Sequence, residues 1–354
     1  MIVSMTKFRK TEAASPSRLS DLDYSPLQYK KRKESSDKDA STFMIFGSLV
    51  DCLLTEPSEF KNRYSVSSVE IPSDAIKNII TGVFNEIKLG KEVSPFLELA
   101  DFEPKIIEYA NYEQYGKSWK QETVVKKVID SGSDYFQSLL KSIGKEIISS
   151  EDYDRALACV DTLKTHEFTR DYFDPKSVYG TDDLNIELHF QCKLVWKVEE
   201  NTCKGILDLM IIDHINKLII VIDLKTTASS VYTFSHSYIK FRYYLQGAMY
   251  YDAVVDLVKT LPKLKDYKIC NPKFIVIEQN NYNPPFIYEM SDEDLLVGRS
   301  GGILKSTNKP INGYLKLVED LKWHQDMGTW EYPKDVYLNK GNVSLNLLSF
   351  NFND

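Results

Sequence analysis

Asp223 and Lys225 stand two residues apart, with Asp208 a short way before them. Residues two apart in an extended strand leave the same face, so this carboxylate and this amine would lie side by side. The turn His214-Ile215-Asn216-Lys217 joins the segments that carry Asp208 and Asp223, which makes them expected antiparallel neighbours and brings the two acids together. Facing carboxylates in a partly buried cleft repel unless a cation sits between them. Oxygen-only ligation with open water positions suits Mg²⁺ or Mn²⁺ better than zinc. A lysine beside metal-bound water orients it or takes its proton, giving hydroxide for attack on phosphorus. Metal and amine together offset the charge that develops on phosphate oxygens. The competing reading is a surface ion pair and a turn carboxylate. Against it stands the apolar run Leu218-Ile219-Ile220-Val221-Ile222, which buries the strand, and ionisable groups at the end of a buried strand need a reason.

The elements that must position these groups read as follows. Leu188, Phe190, Cys192, Leu194, Trp196 and Val198 alternate with polar residues, the period-2 signature of a half-buried strand. Glu199-Glu200-Asn201-Thr202 turns, a second strand runs from Cys203 to Asp213, and a third from Leu218 to Thr226. The continuous apolar run of the third suits a central strand covered on both faces. A helix from about Ser237 to Leu261 and a strand at Phe274–Glu278 follow. This order predicts an α/β (mixed α+β) fold, a central mixed sheet flanked by helices. Upstream, residues 1–14 read as a loose arm and Ser15-Pro16-Ser17 as a helix start. A loop is expected over Glu34–Asp39, then an apolar helix over Phe43–Leu54. Residues 74–165 are mostly helical by the spacing of Ala75, Ile76, Ile79, Ile80 and Val83, with a break near 95–105. One domain is expected over 15–335, with a helical part at 15–185, the sheet core at 186–290 and a C-terminal helical part at 291–335. A tail, 336–354, carries no identifiable chemistry.

Three stretches in order, Gly205-Ile206-Leu207-Asp208, Asp223-Leu224-Lys225-Thr226 and Gln246-Gly247-Ala248-Met249-Tyr250, resemble the GxxD…(D/E)xK…QxxxY series of RecB-like nucleases in the PD-(D/E)xK superfamily. Acid-x-Lys alone is a weak motif; the ordered set on strand, strand and helix is far more specific. Within that clan the chain looks most like the RecE-type and lambda-type exonucleases, with supporting stretches at Ser15–Leu19, Ser25-Pro26, Phe46–Asp51, Ile277-Glu278-Gln279 and Pro284-Pro285. The resemblance implies a restriction-endonuclease-like core with a helical N-terminal elaboration. It implies a Mg²⁺- or Mn²⁺-dependent DNA exonuclease, with one or two ions per site, running 5′→3′ on linear duplex for recombination or repair in a bacterial or phage-infected cytosol. Asp208 and Asp223 would ligate metal, with the Leu224 carbonyl as a further ligand and Lys225 as the catalytic lysine. Gln246 and Tyr250, one helical turn apart, would orient the site or touch DNA. Glu187 would serve a second metal, and Ser17 and Arg18 a terminal phosphate. The family usually has His where this chain has Asp51; an aspartate also ligates a hard cation, so the departure bears on metal preference and ion count. A single-strand annealing recombination protein and a homo-oligomeric ring are the partners so implied. The same chemistry would serve a single-strand exonuclease or a structure-specific endonuclease, and a nuclease-like fold kept only for binding DNA is the reading from another class.

Composition narrows the classes. The 354 residues, 43% hydrophobic and 12% aromatic, are enough for a large core and argue against wholesale disorder. No run of eighteen apolar residues suggests a membrane span. The five cysteines are dispersed without a CxxC pair, which points to reduced thiols in a cytosol and away from an iron–sulfur cluster or zinc site. The five histidines form no HxH or HxxxH pair, so surface roles are expected. A net charge of -7 runs against a basic DNA footprint, leaving Lys30-Lys31-Arg32-Lys33 and Lys117, Lys120, Lys126 and Lys127 as local basic patches. Gly298-Arg299-Ser300-Gly301-Gly302 lacks the GKS/T ending of a phosphate loop and reads as a plain loop.

Overall fold

The structure is a computed structural model that describes residues 1–34, 42–67, 69, 71–90, 94, 96–142, 144–173, 185–305 and 308–343. Residues 35–39 of the expected loop and 344–354 of the expected tail lie outside these. The described residues form two compact units, Cys52–Ala158 and Met1–Asp51 with Cys159–Asp354, a division that the reading of one continuous domain did not contain.

In the unit Cys52–Ala158 a short strand β1 (Tyr64–Ser67) pairs in parallel with β2 (Glu146–Ser149). The helices Asp74–Gly90, Glu103–Tyr112 and Gln121–Lys141 lie between them in sequence. Ile76, Ile79, Ile80 and Val83, the apolar stripe read from the spacing, are buried in one core with Ile106, Val128 and Phe136. Neither strand was expected. Each is four residues long, and each pairs with a partner far along the chain, so nothing local marks it.

The second unit is built on a mixed sheet. β3 (Ile186–Val198), β4 (Asn201–Asp213), β5 (Leu218–Thr227), β7 (Lys273–Glu278) and β8 (Phe286–Glu289) lie in the order β3-β4-β5-β7-β8, with β6 (Lys268–Ile269) also against β5. The first three are antiparallel, β5 and β7 are parallel, and β7 and β8 are antiparallel. This is the expected sheet, and the parallel pair is central, as its unbroken apolar runs require. The helix Tyr243–Lys259 lies between β5 and β7 in sequence. One face of the sheet gives Cys192, Leu194, Trp196, Met210, Ile212, Ile219, Val221, Phe274 and Val276 to a core shared with Leu245, Met249, Val254, Leu317 and Leu321. At about 25 cal/mol per Å² of apolar surface removed from water, such a core dominates the stability of the unit.

Alternation fails once, at the place that matters. In β4, Cys203 and Leu207 join this core, but so do Met210 and Ile212, so the side-chain phase shifts between 207 and 210. Opposite this point, between the pairs Phe190↔Leu209 and Cys192↔Leu207, Gln191 takes φ 50°, left-handed for a non-glycine residue inside a strand. Such local disruptions re-aim side chains beside functional sites.

Two further expectations change. Residues 1–14 carry a helix, Met5–Lys10, and are tied down: Ile2 bridges Leu194, Ala14 bridges Cys203, and the Lys204 ammonium donates to the Thr11 carbonyl at 2.6 Å. The single helix expected over 237–261 is two, Phe234–Lys240 and Tyr243–Lys259, separated by a left-handed Arg242.

Candidate active site

Leu209 pairs with Ile222, so Asp208 and Asp223 are the next residues outward on β4 and β5. There the regular ladder stops. The Leu224 N–H donates to Asp208 Oδ2 at 2.8 Å, so a side-chain acceptor stands in for a strand carbonyl and pins the Asp208 carboxylate against β5. Asp223 and Lys225 share a face, as their spacing required, and Lys225 Nζ lies 2.5 Å from Asp223 Oδ2. Lys225 Nζ also sits 4.5 Å from the centre of the Tyr243 ring, a cation–π contact.

The helix Tyr243–Lys259 supplies the rest. Gln246 Nε2 donates to Asp223 Oδ1 at 2.8 Å and lies 3.2 Å from the Tyr250 hydroxyl. Tyr250 in turn donates to the Ile206 carbonyl at 2.7 Å. Two residues one turn apart thereby lock the helix to both acid-bearing strands. Gly205 makes room for this: a Cβ there would lie 2.6 Å from the Tyr250 ring.

Asp51 arrives from the helix Thr42–Thr55, and Gln191 Nε2 reaches both of its carboxylate oxygens at 2.9 Å. The left-handed turn of Gln191 thus delivers an amide clamp to Asp51. Sequence reading missed Gln191; in an alternating strand it looks like an outward-facing polar residue, and only tertiary contacts reveal its conformation.

The electrostatics match this crowding. Burial, then the negative charges of Asp223 and Asp51, hold the Asp208 carboxyl well above the usual carboxylate range, against the opposing pull of Lys225 and the Leu224 N–H. Burial also raises Asp223, with the Lys225 ammonium opposing it. Burial alone would push the Lys225 amine down, but Asp223, Tyr243 and Asp208 outweigh it, so the group is a firmly held ammonium. Asp223 Oδ2 is buried and receives no well-directed hydrogen bond even with Lys225 so close. That leaves an ion pair with a lone pair to spare.

Not every expected residue joins this group. Glu187 pairs with Ile212, four residues along β4 from Asp208, roughly 13 Å away at strand rise. There it bonds His214 Nε2 at 2.9 Å and His189 Nε2 at 2.7 Å, which lower its pKa. These two histidines therefore share one half-exposed carboxylate, a surface role of the kind expected. His324, also expected at the surface, is 1% exposed and stacks on Trp330. Ser17 and Arg18 lie on the helix Pro16–Tyr24, whose proline stands in the first turn as read; the Ser17 hydroxyl is 3.4 Å from that of Ser15. All five cysteines are free thiols. Of the Gly298–Gly302 stretch, Arg299 and Ser300 close the helix Asp292–Ser300 and only the turn at Gly301, φ 85°, is irregular. Among the described residues no helix is long and apolar enough to cross a membrane.

One family model agrees with this architecture. The model of the PDDEXK-like domain of unknown function DUF3799 matches residues 15–332. Among solved structures, the chain is similar to a protein of Eubacterium rectale described as a candidate exonuclease, at 10% identity and a TM-score of 0.45, covering 98% of this chain and 95% of that one. No curated protein matches significantly. With the acid pair, the lysine and the Gln–Tyr helix standing in the order of the motif, and the family match spanning most of its length, this chain belongs to the PDDEXK-like family DUF3799.

Proposed function

We propose that this chain is a divalent-metal-dependent deoxyribonuclease that works as an exonuclease on linear DNA. The observation that carries the proposal is the convergence of Asp208, Asp223 and Lys225 at the point where the β4–β5 ladder ends. Among the described residues no group of three or more His, Cys, Asp or Glu side chains forms a complete metal cage. Mg²⁺ needs none, since it keeps several waters and is commonly held by one or two carboxylates. The residues fit such an ion: a buried Asp223 carboxylate whose charge raises the proton affinity of the half-buried Asp208, and an Asp223 oxygen lacking a directed donor. Asp208 and Asp223, with the Leu224 carbonyl, would hold it; Asp51, which Gln191 clamps and whose charge reaches Asp208, would act through a bridging water or a second ion.

When bound, a cation of this kind supplies Lewis acidity to a phosphate oxygen and makes water a stronger nucleophile. The chain's own groups do the rest. Lys225, as an ammonium, donates to the attacking water or to a non-bridging phosphate oxygen and offsets the charge forming there. Gln246 fixes the Asp223 carboxylate, and the Leu224 N–H fixes that of Asp208, so neither has to reorganise as charge develops. Duplex substrate, 5′→3′ direction and a role in recombination beside an annealing protein rest on the RecE- and lambda-like motif series, as does a ring-shaped oligomer.

The direct test is digestion of 5′-phosphorylated linear duplex, single strands and closed circles with Mg²⁺ or Mn²⁺, comparing wild type with Lys225→Ala. Loss of linear DNA from its ends, slowed about 10²- to 10⁴-fold by the substitution, is expected. If both proteins bind DNA and neither cuts any substrate, the nuclease assignment fails.

A further inference from the structure

Beside the acid pair the chain makes a costly turn. Between the helices Phe234–Lys240 and Tyr243–Lys259, Arg242 adopts φ 57°, ψ 40°, a left-handed conformation that a non-glycine residue holds only when its surroundings enforce it. Its side chain is anchored by Asp23, more than two hundred residues away in sequence, which forms an ion pair with the Arg242 guanidinium. The turn sends consecutive aromatic residues in different directions. Tyr243 packs inward over the Lys225 ammonium, while Phe241 is left 51% exposed. The two rings remain in contact, with centroids 5.7 Å apart and planes inclined by 38°. Lys240 Nζ lies 5.4 Å from the centre of the Phe241 ring, and this exposed lysine pairs with no carboxylate among the described residues.

A solitary exposed aromatic residue is ordinary surface. Phe241 differs in being held out by a strained, ion-paired turn, and in continuing, ring to ring, a path that begins at the candidate catalytic lysine. A flat apolar ring beside an unpaired ammonium is also complementary to a nucleotide, which presents a π-face and an anion together. We infer that Phe241 is a stacking platform for an unpaired nucleobase of a single strand, with Lys240 meeting a neighbouring phosphate and Tyr243 marking the step towards the reacting bond. This deepens the nuclease reading and rests on it: the strand presented to Asp208 and Asp223 is locally single. Stacking of this kind tolerates any base and depends on salt.

The test is fluorescence anisotropy of the full chain, with metal chelated, using fluorescein-labelled (dT)10 and a strand of the same length in which every nucleotide is abasic. Wild type should bind (dT)10 more tightly than the abasic strand. Phe241→Ala should lose about 5- to 150-fold on (dT)10, the range of one base–aromatic stack, and almost nothing on the abasic strand; Phe241→Trp should restore binding. Lys240→Ala should weaken both strands alike. Equal affinity of wild type for the two strands, no binding to either, or equal losses on both for Phe241→Ala would each overturn the inference. Digestion of linear DNA with Mg²⁺ decides the parent reading separately, since an enzyme that cuts normally with Phe241→Ala and shows no base-dependent binding keeps its nuclease assignment and loses only the platform.

Discussion

Replacing Asp208 with asparagine keeps the shape of the site and an acceptor for the Leu224 N–H, but removes a half-buried carboxylate that is repelled by the buried Asp223. Without metal, the wild-type Asp208 carboxyl has a folded-state pKa raised above its ordinary value of 3.8. Such a group does not penalise the folded state below its unfolded pKa. The penalty grows as pH rises from about 4, by at most about 1.4 kcal/mol per pH unit, and levels off above the folded pKa. In EDTA, Asp208→Asn should therefore match wild type near pH 4 and be the more stable protein at pH 8. Metal reverses the ranking. An ion at one hundred times its dissociation constant stabilises wild type by about 2.7 kcal/mol, a rise of roughly 5–11 °C in melting temperature for a unit of this size, and should leave the variant nearly unmoved. Differential scanning fluorimetry across pH 4–8, with EDTA or Mn²⁺, reads all of this. A variant less stable than wild type in EDTA at pH 8 would refute the repulsion account, and equal Mn²⁺ stabilisation of both proteins would remove Asp208 from the ligand set.

Three further outcomes follow from contacts in the site and core. Gln246→Ala, which frees the Asp223 carboxylate, should cost about 10- to 100-fold in metal affinity or cleavage, whereas Tyr250→Phe should cost about 1 kcal/mol of stability and far less rate; a Tyr250 effect on rate as large as that of Gln246 would give the hydroxyl a direct role. Gly205→Ala drives a methyl group into the Tyr250 ring and should destabilise by about 1–3 kcal/mol in denaturant titration; wild-type stability would show that the helix is not seated as described. Burial pushes the Cys192 thiol up to about 11 and that of Cys203 up to about 12, so a thiol reagent at pH 8 should label the partly exposed Cys270 first and these two only on unfolding, as peptide mapping would show.

The sheet and its acid pair were legible because their signals are local. Period-2 alternation marks β3, a continuous apolar run marks β5, and a four-residue turn fixes the β4–β5 register to the residue. Gln246 and Tyr250 were legible only through their resemblance to the QxxxY part of the motif series. What escaped was set by distant partners. Nothing in Phe241-Arg242-Tyr243 breaks a helix; the left-handed Arg242 goes with an ion pair to Asp23, more than two hundred residues away in sequence. Gln191 is an unremarkable polar residue until Asp51 captures it. Glu187 was expected to join the metal site from its position near the first strand, but four residues of strand separate it from Asp208 and two histidines hold it there.

The first residues of the chain offer a different lesson. Val3 donates to the Lys193 carbonyl, and Val195 donates to that of Met1, so a short extended stretch hydrogen-bonds along the outer margin of β3. β3 is the terminal strand on that side, and a bare terminal strand invites pairing with another chain. The opening segment therefore works as a selvedge, finishing the weave so that it does not ravel into a neighbour. Trimming it would leave Asp208, Asp223 and Lys225 in place and spoil the protein through clumping, so preparations for enzymology are best handled from the other terminus.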